Sequence, residues 1–468
     1  MAKNEEMLVE KLAHTILPRN LSRFDLTAIY FAAIFGSFGA AQMATMGWAA
    51  IPMLIMAAVV FLLPCALAAF ELGTLFPGEG GIYIWAHKAF GPLHGFISGW
   101  LSWVPIFLIL PLGVTASSAY IQEAFHTTWP KSIDTMIQLA LIWVEFLFCA
   151  RGLGISQNVV RVGFFVSFGT AVIVFIVGWI QPVSATPITS DIISFNIFAH
   201  GALFSAAVLW MLGVEMPFTM GDEFSNHRKT AKTMLVWGTL TLITGYLLGT
   251  TGILWSIPVE KVDVTRGVAQ AVSAHYPVLG SIVAIAVSIA IMSTGINYEN
   301  MYSRLLFVSA LEKRLPAVFA HVNEKKVPIR ALLVQAIGAS IVILIFSTQE
   351  SLAVVFNLYL AALVAIWCAS LYYIFAALLI VRKKYDSLYQ SRGADVWHIP
   401  GGLIGRWFVG IWGIVANTIA IYYVFALPWV SEGITAQAWR GWIAAIVAVV
   451  IGFGVILYSN SLKQQKAI

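Results

Sequence analysis

The sequence predicts an all-α integral membrane protein with twelve transmembrane helices, and three observations carry that prediction. Apolar runs long enough to cross a bilayer recur along the chain, positive charge gathers on one side of them, and two runs are interrupted near the middle. Mean hydropathy is +0.85, and only 10% of the 468 residues are charged against 60% hydrophobic. That balance excludes an ordinary soluble enzyme.

A span needs about 20 mostly apolar residues. Runs that qualify lie at about 24–45, 48–72, 92–120, 134–150, 160–181, 200–221, 234–256, 278–304, 331–347, 352–381, 405–428 and 440–460. The fourth and ninth are short, and the third and eighth are long enough to tilt or project. Residues 1–23 are charged throughout and lack an apolar stretch with a cleavage site, so no cleaved signal peptide is expected. With that segment cytoplasmic, 23 of the 27 Lys and Arg fall on the cytoplasmic side, leaving Lys131, Lys261, Arg266 and Arg440 opposite. One span too many or too few would destroy this asymmetry. Both termini are therefore expected in the cytoplasm, with 461–468 as a short tail, in a multi-pass protein of the inner membrane. The net charge of +5 reflects this topology and gives no reason to expect nucleic acid. The 17 Trp and 15 Tyr suit interfacial belts, and Cys65, Cys149 and Cys368 sit in apolar runs without disulfide or metal-ligand spacing.

The first span is interrupted at Gly36-Ser37-Phe38-Gly39 and the sixth at Leu212-Gly213-Val214-Glu215-Met216-Pro217. Each Gly weakens a helix by about 1 kcal/mol relative to Ala. In hydrocarbon, freed backbone groups must face protein or a cavity. Two broken spans at matching positions of two halves point to a transport site. Spans one to five (24–182) and six to ten (200–381) each begin with a broken helix, and five is odd, so the second set enters from the opposite face. The reading is a five-plus-five inverted repeat with two extra helices at 405–460. An unwound helix offers orphan N–H groups and orphan carbonyls. A zwitterion matches both, its carboxylate at the amides of Ser37–Ala40 and its ammonium at the carbonyls before the break, with a second set around Gly213 and Val214.

Glu215 follows the second break, and an intramembrane carboxylate is a functional candidate in coupling or gating. The plainer role is to cap the broken helix. Trp210, one turn before the break, could close over the site or simply pack. Glu145 and Glu299 lie near Arg151 and Arg304, and snorkelling or pairing accounts for them. Glu71 and Glu79 flank the Pro77-Gly78 turn, where a turn or loop–helix hydrogen bond is expected. Arg161, opening the fifth span, is expected to snorkel. No GxxxxGK, HExxH, GxSxG or CxxC occurs, so neither enzyme chemistry nor a cofactor or metal is expected.

Four places, in this order, resemble the amino acid–polyamine–organocation transporter family over about Arg23 to Leu379. They are Gly36-Ser37; Glu71-Leu72-Gly73-Thr74 with Pro77, Gly80-Gly81 and Tyr83, then Phe90-Gly91-Pro92 and Gly99-Trp100; Gly213-Val214-Glu215 with Asp222-Glu223 and Arg228-Lys229; and Ser303-Arg304 to Leu315-Pro316, with Pro328 and Ala331-Leu332. Gly80 to Trp85 most resembles the glutamate/γ-aminobutyrate antiporter branch. The resemblance implies a LeuT-type fold, alternating access and a substrate carboxylate held at Gly36, Ser37, Phe38, Gly39 and Ala40. It also implies a gating or proton-linked Glu215, with Thr294 and Tyr298 beside the substrate side chain. The chain departs from the pattern where Gly-Ser-Gly becomes Gly36-Ser37-Phe38, and where the fifth-span lysine of proton-coupled members is absent. Residues after about Tyr458 are fewer than the plug of that branch.

The expectation is an amino acid exchanger in the lipid bilayer. Its rivals are a proton-coupled symporter, a carrier of polyamines or other amines, and, from another class, a membrane sensor without net transport. A major-facilitator transporter is disfavoured because the acidic–Arg loop between its spans two and three has no counterpart at Leu75–Gly91.

Overall fold

The computed structural model describes residues 7–17, 21–182, 201–224, 227–348, 352–392, 395–429 and 433–466. Among these, eleven helices are long and apolar enough to cross a membrane. The expected sixth span is the exception, because Gly201–Leu209 gives way to the short 3₁₀ turns Met216–Thr219 and Gly221–Glu223. Residues 199 and 200, where that span was expected to begin, lie outside the described residues. The first span is likewise broken, into Arg23–Ile34 and Ser37–Ala44. The all-α fold with two broken helices is the one the sequence predicts.

Differences lie at the ends. The fourth span is Lys131–Ala150, the eighth extends over Pro277–Leu311, and the last runs from Ala436 to Lys466. Residues 461–466, expected as tail, therefore continue that helix. Short helices outside the spans, Leu8–Ile16, Ile82–Phe90, Gly267–Ser273 and Asp386–Arg392, were not predicted, since each is too brief to leave a clear period.

Polarity is distributed as a bilayer requires. Outward faces carry Ile404 at 83% exposure, Val278 at 78% and Val449 at 70%, while Glu71, Glu215, Glu299 and Arg304 are buried. Such charges are tolerated only where protein partners replace water. The eighth span lies at the centre, packed on the third, fifth and fourth, while the tenth packs on the second and eleventh.

The basic face is tied together by the loop after the second span. The Gly80 amide donates to the Thr219 carbonyl at 2.9 Å, and a Cβ on Gly221 would meet the Gly78 carbonyl oxygen at 2.2 Å. Gly80 and Gly81 have φ of +96° and +40°, which explains the paired glycines of the motif. Behind this contact Arg304 donates to Glu223 at 2.9 Å and lies 3.7 Å from Glu79. Asp222 and Glu79 each accept the other's backbone amide at 3.2 Å. Glu71 pairs with Arg406 of the eleventh span and accepts from Tyr389 and the Ile399 amide. Both glutamates thus make long-range ties, beyond the local turn bonds expected of them.

Two expectations are corrected. Arg304 binds Glu223 and Glu79, and Glu299 makes no ion pair among the described residues. Residues five or six apart lie on different helix faces, so neighbours in sequence need not meet. Arg161 does not simply snorkel, for it binds the buried Asp25 of the first span. Asp25 also closes a capping box, its amide donating to Ser22 Oγ at 3.2 Å and its carboxylate accepting the Ser22 amide at 2.8 Å.

Candidate substrate cavity

The first break is narrower than the sequence suggested. Only Phe35 and Gly36 leave the helical conformation, and Phe38 and Gly39 already belong to the second half. Gly39 serves proximity, since a Cβ there would meet the Trp210 ring at 2.6 Å. Its amide is taken by the Gly36 carbonyl at 2.8 Å. The carbonyls before the break are also occupied. Tyr298 donates to Ala33, and Tyr246 donates to Ile34 at 2.8 Å while accepting the Gly36 amide at 3.0 Å. Two tyrosine hydroxyls therefore satisfy the carbonyls that an ammonium was expected to take. One turn earlier, Asn297 donates to the Ile29 carbonyl at 2.9 Å, fixing the first span against the eighth. The Ser37 hydroxyl is buried and has no hydrogen-bond partner among the described residues.

At the second break, Gly213 has φ +108°, and a Cβ would lie 2.5 Å from the Ala33 carbonyl oxygen. The two breaks therefore meet backbone to backbone, which only glycine allows in that conformation. Trp210 crosses to the first span, its Nε1 donating to Gln42 at 2.8 Å and its ring edge-on to Phe38 at 4.9 Å. Glu215 is fully buried, with one oxygen accepting from Trp367 Nε1 at 2.5 Å and the other unpartnered. The Trp367 ring lies against Tyr298 and Tyr302, each 6.2 Å away.

Both breaks border one cavity of about 70 Å³. Of the residues expected to bind substrate, Gly36, Ser37, Phe38, Trp210, Thr294 and Tyr298 line it. Gly39 and Ala40 do not: Gly39 is covered by Trp210, and Ala40 faces a separate void with Thr170 and Gly249. Gly213 and Val214 are buried behind the wall, and Glu215 contacts the lining residue Trp367. Thr294 directs its hydroxyl to the Ala290 carbonyl of its own helix at 3.2 Å.

The wall includes residues that the sequence reading left out. Trp367 and Ser167 line the cavity, Tyr246 caps the first break, and among the described residues Glu145 is the one acidic side chain in the lining. Nothing in a single sequence distinguished Trp367 from a packing tryptophan. Glu145 did carry the general signal of an intramembrane carboxylate. Its expected neighbour Arg151 is solvent-facing and makes no ion pair with it among the described residues.

The sequence profile of the amino acid permease family matches residues 21–454. An uncharacterised transporter of Legionella pneumophila is 27% identical over 400 residues, covering 82% of this chain and 85% of that protein. A probable agmatine/putrescine antiporter of Lactococcus lactis is 26% identical over 262 residues, covering 53% of this chain and 54% of its own. A glutamate/γ-aminobutyrate antiporter from the same species is 21% identical over 399 residues, covering 80% and 77%. With the family profile spanning nearly the whole chain, the protein belongs to the amino acid permease family.

Proposed function

We propose that the protein exchanges amino acids across the cytoplasmic membrane by alternating access between two inverted five-helix repeats. The observation that carries this reading is the meeting of both helix breaks at one cavity. There the unpartnered Ser37 hydroxyl and the first amides of Ser37–Ala44 are suited to a carboxylate, the helix dipole adding to the attraction. The α-ammonium displaces the Tyr298 and Tyr246 hydroxyls from the Ala33 and Ile34 carbonyls. Trp210 forms the wall on the side of Phe38, and Glu215 acts on the cavity through Trp367, linking substrate to gating. The basic face is cytoplasmic by its charge. Antiporters among the relatives, and a fifth span without lysine, favour exchange over proton-coupled uptake.

Thermal unfolding of the purified protein tests the carboxylate assignment. A transported amino acid at 100 times its Kd is expected to stabilise by about 2.7 kcal/mol, and its carboxamide derivative far less. Equal stabilisation by the two compounds would remove the helix break as the carboxylate site.

A further inference from the structure

Among the described residues, one carboxyl group lines the cavity. Glu145 is 1% exposed, lines the cavity, and has a carboxyl oxygen, Oε2, with no hydrogen-bond partner. The space it fills is built by the facing helix, because a Cβ on Gly295 would lie 2.0 Å from its other oxygen. One helical turn on from Gly295, Glu299 is buried, makes no ion pair among the described residues, and lies close enough to interact electrostatically with Glu145. Among the described residues no Lys, Arg or His lines the cavity, and Arg304 is held by Glu223 and Glu79. Cys149, near both acids, donates to the Ile296 carbonyl at 3.4 Å, and Glu299 is also within reach of its thiol. A buried acidic pair without a counter-ion is costly unless a cation or proton joins it. Here one of the acids faces the space where a ligand would sit.

We infer that Glu145 is a specificity subsite for the cationic end of an amino acid side chain, with Glu299 reinforcing its negative field. The substrate class is then a basic amino acid, bound by its carboxylate at the first break and by its side-chain cation at Glu145. This inference rests on the cavity being the transport site.

The test is competition for uptake into proteoliposomes holding full-length protein. L-arginine, L-lysine and L-ornithine are compared with L-leucine and L-glutamine, for wild type, Glu145→Gln and Glu299→Gln. Wild type is expected to prefer the basic compounds. Glu145→Gln is expected to raise their KM by about tenfold or more, as loss of a buried charge partner does, with KM for the neutral compounds unchanged or lower. Glu299→Gln, outside the lining, should weaken basic substrates less. Should Glu145→Gln not fold, Glu145→Asp, one methylene shorter, is expected to shift preference from ornithine towards lysine. Wild-type uptake of neutral compounds alone would overturn the subsite while leaving the proposed exchange intact. An equal loss for every compound in Glu145→Gln, or unchanged lysine-to-ornithine preference in Glu145→Asp, would also overturn it. Absence of all flux in wild type would instead fail the transport reading beneath it.

Discussion

Gly213 holds the two helix breaks together, and its replacement shows how much depends on one absent side chain. Alanine would combine a positive φ with a Cβ 2.5 Å from a carbonyl oxygen that cannot retreat. Gly213→Ala is expected to destabilise by about 2 kcal/mol or more, measured as a lower Tm of the purified protein. His87 gives a pH dependence. Burial, reinforced by the nearby Lys88 and Arg314, lowers its pKa to about 4 from an ordinary 6.5. The folded state favours the neutral ring, so this contribution is full above about pH 6.5 and is lost as pH falls towards 4. His87→Gln is expected to flatten the decline in Tm over that window, and an unchanged pH profile would contradict the assignment. At this scale the sequence was partly legible. Gly213 and Trp210 stood out because they break or flank an apolar run. Glu145 was undervalued because Arg151 follows six residues later, about 240° further round the helix, and sequence distance hid that difference of face.

Elements at the basic face act as one clasp. The loop of residues 76–81, the end of the broken sixth helix and the eighth span converge on Arg304, itself 1% exposed. Removing the guanidinium leaves Glu223 and Glu79 buried together, so Arg304→Gln is expected to cost about 3–5 kcal/mol. Glu79→Gln should cost less, because Arg304 keeps its shorter bond to Glu223. Thermal unfolding of both variants checks the order, and a Tm for Arg304→Gln at or above that of Glu79→Gln would contradict it. The clasp could not be read from sequence, since its partners lie 81 residues or more apart and join through backbone turns with no hydropathy signal. The helix breaks were legible as regions but not to the residue. Glycine also occurs within membrane helices where another chain must come close, as Gly39 does beneath Trp210.

For the whole molecule, length and hydropathy fix the spans well, because a lipid-facing helix can satisfy its backbone only internally. The broken sixth span is where that logic yields, and it is also where the cavity lies. Two interrupted helices meet at Gly213 and Ala33, so the proposed binding of substrate at one break would be felt at the other. The most direct measurement of the exchange claim is uptake of labelled amino acids into proteoliposomes that are either empty or preloaded with the same compound. The account predicts rapid uptake into preloaded vesicles and little into empty ones. Equal uptake into both would contradict exchange and point to a symporter or uniporter.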